Sequence, residues 1–325
     1  MSFAIAVDAG GTTTRCVVLA SGGVCLGLGR AGRGNPVAVG AGAAARSLGA
    51  AVKTALAQAG VPGPEIEAVV ITMAGGGLGD EDIFLDRLRA EGVRPRPVLK
   101  GDLLSSLCSG TPALDGYALI AGTGAGAARI AGGEMVEVAD SLGWLVGDAG
   151  SGFWIGHQVV RAAFDGLDGR GPPTALTPAL LGALDLPCQG HSPANWRQVR
   201  ARALSLIYDM RPVELSQFAQ LAFQTDDLVA EGIVDAAAAA LALTLQAVAD
   251  PGLPGPLVLA GGVFAHQPDF AATVQSLAVE VPATDLIIVT DGAVGAAVLA
   301  LRQLGETVDQ AVFDTVVSTL SEVGR

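Results

Sequence analysis

One local plan occurs twice in this chain. Residues 6–19 read AVDAGGTTTRCVVL and residues 118–130 read ALIAGTGAGAARI. In each, an apolar run enters a turn of Gly and Thr, and a second apolar run leaves it. Short apolar runs around a tight Gly turn predict a strand hairpin. A hairpin of this kind at the head of two successive halves points to a duplicated α/β plan. In the first half, runs at 3–7, 15–20 and 24–29 predict an antiparallel meander. A helical spacing over 38–59 stops at Gly60, and a strand at 67–73 runs into Gly75-Gly76-Gly77. A charged amphipathic helix follows at 80–90, then a strand at 97–100 and a helix at 102–109. The pattern restarts near residue 113, with strands at 117–121, 127–130, 135–138, 257–260 and 286–289 and a helix at 293–304. Helical and loop-rich sequence fills 153–250. The expected fold class is therefore α/β, with two mixed sheets flanked by helices. The expected domains are 1–113 and 114–305, the second with a helical insert. A C-terminal helix in 306–325 is expected to return to the first.

Composition removes other classes. Half of the chain is hydrophobic and 16% is charged, which suits a large globular core. The 45 Gly residues follow no collagen period. A net charge of −13, from 19 basic and 32 acidic side chains, repels phosphate polymers and argues against a nucleic-acid partner. Cys16, Cys25, Cys108 and Cys188 form no C-x-x-C pair, and His157, His191 and His266 share no metal spacing, so zinc and redox-motif readings are weak. The first residues lack the basic start and long apolar core of a signal peptide. No 18-residue stretch is uninterruptedly apolar; 236–249 carries Thr244 and Gln246 and reads as a buried helix. The expectation is a cytoplasmic protein with no membrane partner.

The segment Asp8-Ala9-Gly10-Gly11-Thr12-Thr13-Thr14 carries the most chemistry. Without a Cβ in the way, backbone N–H groups of a Gly turn can approach an anion closely, and Thr hydroxyls add donors. Asp8, at the strand end, is placed to hold a magnesium ion through water. The same residues also suit a plain tight hairpin. Gly122-Thr123-Gly124-Ala125-Gly126 has the same character. Neither Lys53 nor Lys100 follows a G-x-x-x-x-G segment, which excludes a P-loop. A strand, not a helix, follows the first turn, which excludes a dinucleotide fingerprint there.

DAGGTTT, GTG, and LAGG with the later DGAVGAA resemble the first phosphate, second phosphate and adenosine motifs of the actin-like ATPase and sugar-kinase superfamily. RGNP at 33–36, GDLLSS at 101–106 and GWLVGDAGSGFWIG at 143–156 narrow the resemblance. They are similar to the N-acetylglucosamine kinase branch of the BadF/BadG/BcrA/BcrD ATPase family. The resemblance implies a two-domain actin-like (ribonuclease H-like) fold with a central cleft, and a homodimer. It implies ATP and Mg2+ as cofactors and transfer of phosphate to the 6-hydroxyl of an amino sugar, N-acetylglucosamine first. Glucosamine or a broad range of hexoses is the alternative. An activator ATPase of a reductase or dehydratase is a more distant one, disfavoured because it needs clustered cysteines.

The resemblance also implies roles residue by residue. Asp102 matches the general base; read without it, Asp102 is a helix cap. Asn35 matches a sugar-hydroxyl ligand, where the plain reading is an Asx turn before Pro36. Asp148 matches a second sugar-binding carboxylate, or is a turn former. Thr123 and Gly124 are expected to meet both sugar and phosphate, and Trp144 to line the sugar site. Gly10, Gly11, Thr12, Thr13, Thr14, Gly122, Thr123 and Gly124 are expected against phosphates, Gly261 and Gly262 against adenosine, and Asp8 against magnesium through water. Three departures stand out: Ala149 where the family commonly has Glu, and Ala125 and Ala74 where it often has Ser. A site lacking those groups loses discrimination, so preference at the sugar's 2-position stays open.

Overall fold

The structure is a computed structural model that describes residues 1–74, 81–188 and 193–325. Two five-stranded mixed sheets form its frame. The first contains β1 (Phe3–Ala9), β2 (Thr14–Ala20), β3 (Cys25–Ala31), β4 (Ile66–Met73) and β5 (Val98–Gly101), in the order β3-β2-β1-β4-β5. The second contains β6 (Gly116–Ala121), β7 (Ala125–Ala131), β8 (Glu134–Asp140), β9 (Gly255–Ala260) and β10 (Ala283–Val289), in the order β10-β9-β6-β7-β8. The orders match strand for strand. In both sheets the opening three strands form an antiparallel meander, and the two later strands run parallel to the first. The duplicated α/β plan read from the two Gly turns is the one that forms.

The helices are α1 (Pro36–Val39), α2 (Ala41–Ala59), α3 (Glu81–Ala90), α4 (Asp102–Gly110), α5 (Gly152–Asp168), α6 (Leu176–Ala183) and α7 (Pro193–Tyr208). They continue with α8 (Ala219–Gln224), α9 (Leu228–Gln246), α10 (Gly262–His266), α11 (Pro268–Leu277), α12 (Gly292–Gln303) and α13 (Gln310–Val323). The single helix expected at 38–59 is two, broken at Gly40, whose φ of 80° takes the chain out of helical geometry. The expected Gly75-Gly76-Gly77 turn and His191 lie outside the described residues.

Strand alternation sorts the core into layers. In β1, Ile5, Val7 and Ala9 face α2 and α3, while Ala4 and Ala6 face the space between the sheets. In β6, Tyr117, Leu119 and Ala121 face the helical insert, while Ala118 faces the same central space. Small residues on the inner faces let two helices enter, and those helices are exchanged. α4 leaves the first sheet and packs on the second, and α12 leaves the second and packs on β1, β2 and β4. The two helices meet backbone to backbone: a Cβ at Gly295 would overlap the Ser105 carbonyl, and Gly295 N–H donates to Ser109 Oγ at 3.0 Å. α13 lies along β3, where the Cys25 N–H donates to Thr319 Oγ1 at 3.0 Å. The 236–249 stretch falls largely in α9. By length and composition α9 could cross a membrane, yet it buries Ala230, Ile233, Ala237, Ala238, Leu241 and Leu245 in the outer core of the second sheet.

Candidate active site

The β1–β2 turn is built to present its tip. Gly10 N–H donates to the Thr13 carbonyl at 3.0 Å, closing the hairpin. Gly11, Thr12 and Thr13 are exposed, and no atom lies within 4 Å of where a Gly11 Cβ would sit. The Gly10 carbonyl accepts from the N–H groups of Gly34 and Asn35, at 3.0 and 3.2 Å. The RGNP turn is thereby fastened beside the phosphate-type turn, and Asn35 stands next to it. Thr14 departs from the expectation of a ligand-facing hydroxyl. It is fully buried, and its Oγ1 donates to the Gly32 carbonyl at 2.7 Å. Its position on β2 points it inward, so it braces the RGNP loop. Gly34 has to be Gly, because a Cβ there would overlap the Thr14 hydroxyl.

The β6–β7 turn is held from behind. The Gly122 and Thr123 carbonyls accept from the first N–H groups of α5, on Gly152 and Phe153, at 2.7 and 3.2 Å. Ser151 caps that helix through Trp154 N–H at 3.1 Å. These bonds occupy helix-end donors that would otherwise be free, and Thr123 itself is exposed. The LAGG turn docks directly on this one: Gly261, with φ of 99°, lies so close that a Cβ would overlap the Ala121 carbonyl. Gly261 and Gly122, expected on adenosine and phosphate, are thus neighbours.

Asp148 sits at the edge of the same turn in a left-handed conformation, φ 59°, which is unfavourable for most residues other than Gly but which Asp tolerates better than most. Its Oδ1 accepts from Ala125 N–H at 3.0 Å, and a Cβ at Gly124 would come 2.9 Å from that oxygen. Asp140 locks the loop, accepting from Asp148 N–H at 2.8 Å and Ala149 N–H at 3.2 Å. Burial pushes the Asp148 carboxyl up, against the pull of the Ala125 N–H and reinforced by Asp140. Trp144, on the loop between β8 and α5, is half exposed and packs edge-on against Phe153, ring centres 5.7 Å apart. Trp154 and Trp196 pack against the insert core.

Asp102 is the first residue of α4, with Oδ1 accepting from Leu103 N–H at 3.0 Å. Burial raises its carboxyl to about 6, although that N–H favours the charged form. Asp8 is also raised to about 6, first by burial, with Asp291 and Asp102 adding and Arg15 opposing. Gly292 presses on Asp8: a Cβ there would stand 2.8 Å from Oδ2. Asp8, Asp102 and Asp291 therefore share one electrostatic neighbourhood at the junction of α4, α12 and β1. Among the described residues no group of three or more His, Cys, Asp or Glu is placed to hold a metal ion.

Within this neighbourhood Arg15 carries no role in the sequence reading, and Asp291 enters it only as part of the adenosine-type motif. Arg15 follows the first motif immediately, and Asp291 opens DGAVGAA, yet their pairing is invisible along the chain. Nor does anything local mark Asp140, which acts on a loop eight residues away.

A model of the BadF/BadG/BcrA/BcrD ATPase family matches residues 5–300. The chain belongs to that family. This BadF/BadG/BcrA/BcrD member is 29% identical over 191 residues to the N-acetylmuramic acid/N-acetylglucosamine kinase of Clostridium acetobutylicum, covering 57% of this chain and 59% of that protein. It is also 29% identical over 212 residues to the N-acetyl-D-glucosamine kinase of Dictyostelium discoideum, covering 63% and 65%. The match thus spans about three fifths of those relatives. Among solved structures, the fold is similar to a candidate N-acetylglucosamine kinase of Chromobacterium violaceum, with a TM-score of 0.72 at 21% identity over 92% of this chain and 99% of that one. It is also similar to a ROK family glucokinase from Streptomyces griseus, solved with glucose and AMPPNP, with a TM-score of 0.59 at 18% identity over 93% and 100%. At such identities these likenesses establish the two-domain fold.

Proposed function

We propose that this family member is an ATP-dependent kinase acting on the 6-hydroxyl of an amino sugar, with N-acetylglucosamine as its first substrate. The observation that carries the reading is Asp102: one half-buried carboxylate at the start of α4, raised to about 6, in the same electrostatic neighbourhood as Asp8. A base whose pKa lies near the working pH is mostly ionised yet accepts a proton readily. The names of the two curated relatives point the same way. The residues present suit the phosphates of ATP: Gly11, Thr12 and Thr13 are open to a ligand on one turn, and Thr123 on the other. They also suit magnesium bound mainly by phosphate oxygens and water, with Asp8 outside its first shell, because Mg2+ rarely uses an all-protein cage. The bound nucleotide supplies the phosphoryl group, and the cation screens its charge.

In this reading Asp102 takes the proton of the attacking hydroxyl. Asn35 orients the sugar from the RGNP turn. Asp148 contributes the oxygen that Ala125 does not use. Closure of the two halves excludes water, as kinases require to avoid wasting ATP. A homodimer and a cytoplasmic location complete the proposal. A coupled ADP-release assay against N-acetylglucosamine, N-acetylmuramic acid, glucosamine, glucose and N-acetylmannosamine tests it. The expected result is turnover with an N-acetyl amino sugar that Asp102→Asn reduces by about 10²-fold or more. No sugar-dependent ADP release with any of the five, or full turnover by the variant, refutes it.

A further inference from the structure

The loop between β8 and α5 is ordered from its base, not from its tip. Leu142, Leu145 and Val146 are 65%, 77% and 73% exposed. Apolar side chains left in water supply little burial to offset the entropy of ordering the chain that carries them. The base, by contrast, is closed by polar bonds. Ala125 holds both ends: its carbonyl accepts from Ser141 N–H at 3.1 Å, and its N–H donates to Asp148 Oδ1 at 3.0 Å. Asp140 then ties the two ends to each other. Its Oδ1 accepts from Asp148 N–H at 2.8 Å and from Leu142 N–H at 3.4 Å, and its Oδ2 accepts from Ala149 N–H at 3.2 Å. The chain turns tightly to allow this: Asp140, Ser141 and Asp148 are all left-handed, with φ of 60°, 60° and 59°. Gly147 stands so close that a Cβ there would overlap Asp140 Oδ1. Ala125 directly follows Gly122-Thr123-Gly124, so the same junction fastens Asp148 and Trp144 to the second phosphate-type turn.

We infer that Asp140 is a positioning residue for the sugar: it staples loop 141–148 to the β6–β7 turn, so that Asp148 and Trp144 are set before the sugar arrives. The inference rests on the proposed seating of the sugar against those two residues and extends it to one that touches no substrate. A carboxylate suits the task because it only accepts, and its two oxygens serve three N–H groups at once. Asn offers one oxygen, and its amide turns donors toward the N–H that remains. Without the staple the loop leaves its set arrangement part of the time, and apparent sugar affinity falls by the fraction that stays competent. Transfer from the complex, once the sugar is seated, is unaffected. The phosphate-type turns keep their own closures, Gly10 N–H on the Thr13 carbonyl at 3.0 Å and Gly122 N–H on the Gly124 carbonyl at 2.9 Å.

The test compares wild type, Asp140→Ala and Asp140→Asn, each as the whole chain, by three measurements. These are sugar kinetics in the ADP-release assay with N-acetylglucosamine, calorimetric titration of ATP without sugar, and hydrogen exchange of segment 141–149 read by mass spectrometry. Asp140→Ala is expected to raise the sugar KM by about tenfold or more, the loss of charge-assisted hydrogen bonds, with kcat within about threefold. ATP affinity should change less than about twofold, and exchange across 141–149 should quicken by about tenfold or more. Asp140→Asn should fall between Asp140→Ala and wild type. An unchanged KM, or unchanged exchange, in Asp140→Ala overturns the inference. So does an equal loss of sugar and ATP affinity, which is what a general loosening of the second half would give. A fall in kcat at constant KM also overturns it. Should Asp140→Ala fail to fold, Asp140→Asn carries the same comparisons, with a KM rise of about threefold expected and no rise overturning the inference. Wild type that releases no ADP with any sugar removes the kinase reading itself. Wild-type turnover whose KM Asp140→Ala leaves intact removes only the role of Asp140.

Discussion

Replacing Asp102 by Asn should stabilise the protein while inactivating it. The carboxyl is raised from 3.8 to about 6, mainly by burial. That rise corresponds to roughly 3 kcal/mol of preference for the neutral form. The sign follows from proton linkage. The folded protein holds this proton more tightly than the unfolded chain does, so stability is greatest below the unfolded value of 3.8 and is lost as pH rises through about 6. Above that, the full penalty of an ionised, half-buried carboxylate is in place. Asn has nearly the same shape, can still accept from Leu103 N–H, and carries no charge. Allowing for a weaker bond at the helix start, the variant should gain about 1–3 kcal/mol at pH 8 and little near pH 4. For a chain of this size that is an upward shift in melting temperature of a few degrees. Melting curves of both proteins at several pH values between 5 and 8 measure it. If Asp102 were instead a stabilising helix cap, the variant would lose stability at pH 8. A loss, or a gain that does not grow with pH, refutes the reasoning.

The same ionisation predicts an acid limb in the kinase assay: kcat/KM should fall about tenfold per pH unit below about 6, as Asp102 is protonated. A profile flat from pH 5 to 8 contradicts that. Gly295→Ala tests the exchange of helices between the halves. A Cβ there would overlap the Ser105 carbonyl, and the two backbones must separate to admit it. The expected cost is about 1–3 kcal/mol by urea denaturation, even though Ala is the better helix former. An unchanged or raised midpoint means α4 and α12 do not touch as described.

The fold was legible because its signals are local. Runs such as 3–7 and 15–20 alternate toward two cores, and the Gly residues between them have few other uses. The helix at 38–59 was misread as continuous because Gly40 in a left-handed conformation looks, along the chain, like any other small residue. Asp102 was readable as the first residue of a helix after a strand. Whether such a residue is a mere cap depends on what surrounds it, and that burial comes from α4 packing beneath the other half's sheet. Thr14 shows the reverse: the motif suggests a ligand hydroxyl, but strand register turns it inward to Gly32.

Periodicity and turn chemistry act over a few residues, so the chain alone determined its strands, its paired Gly turns, its class and its family. Arg15 and Asp291 lie 276 positions apart, and no local rule relates them. Only the folding of two similar halves around exchanged helices brought those charges together. That tertiary step also took Asp8 and Asp102 partly out of water, which is what sets their ionisation.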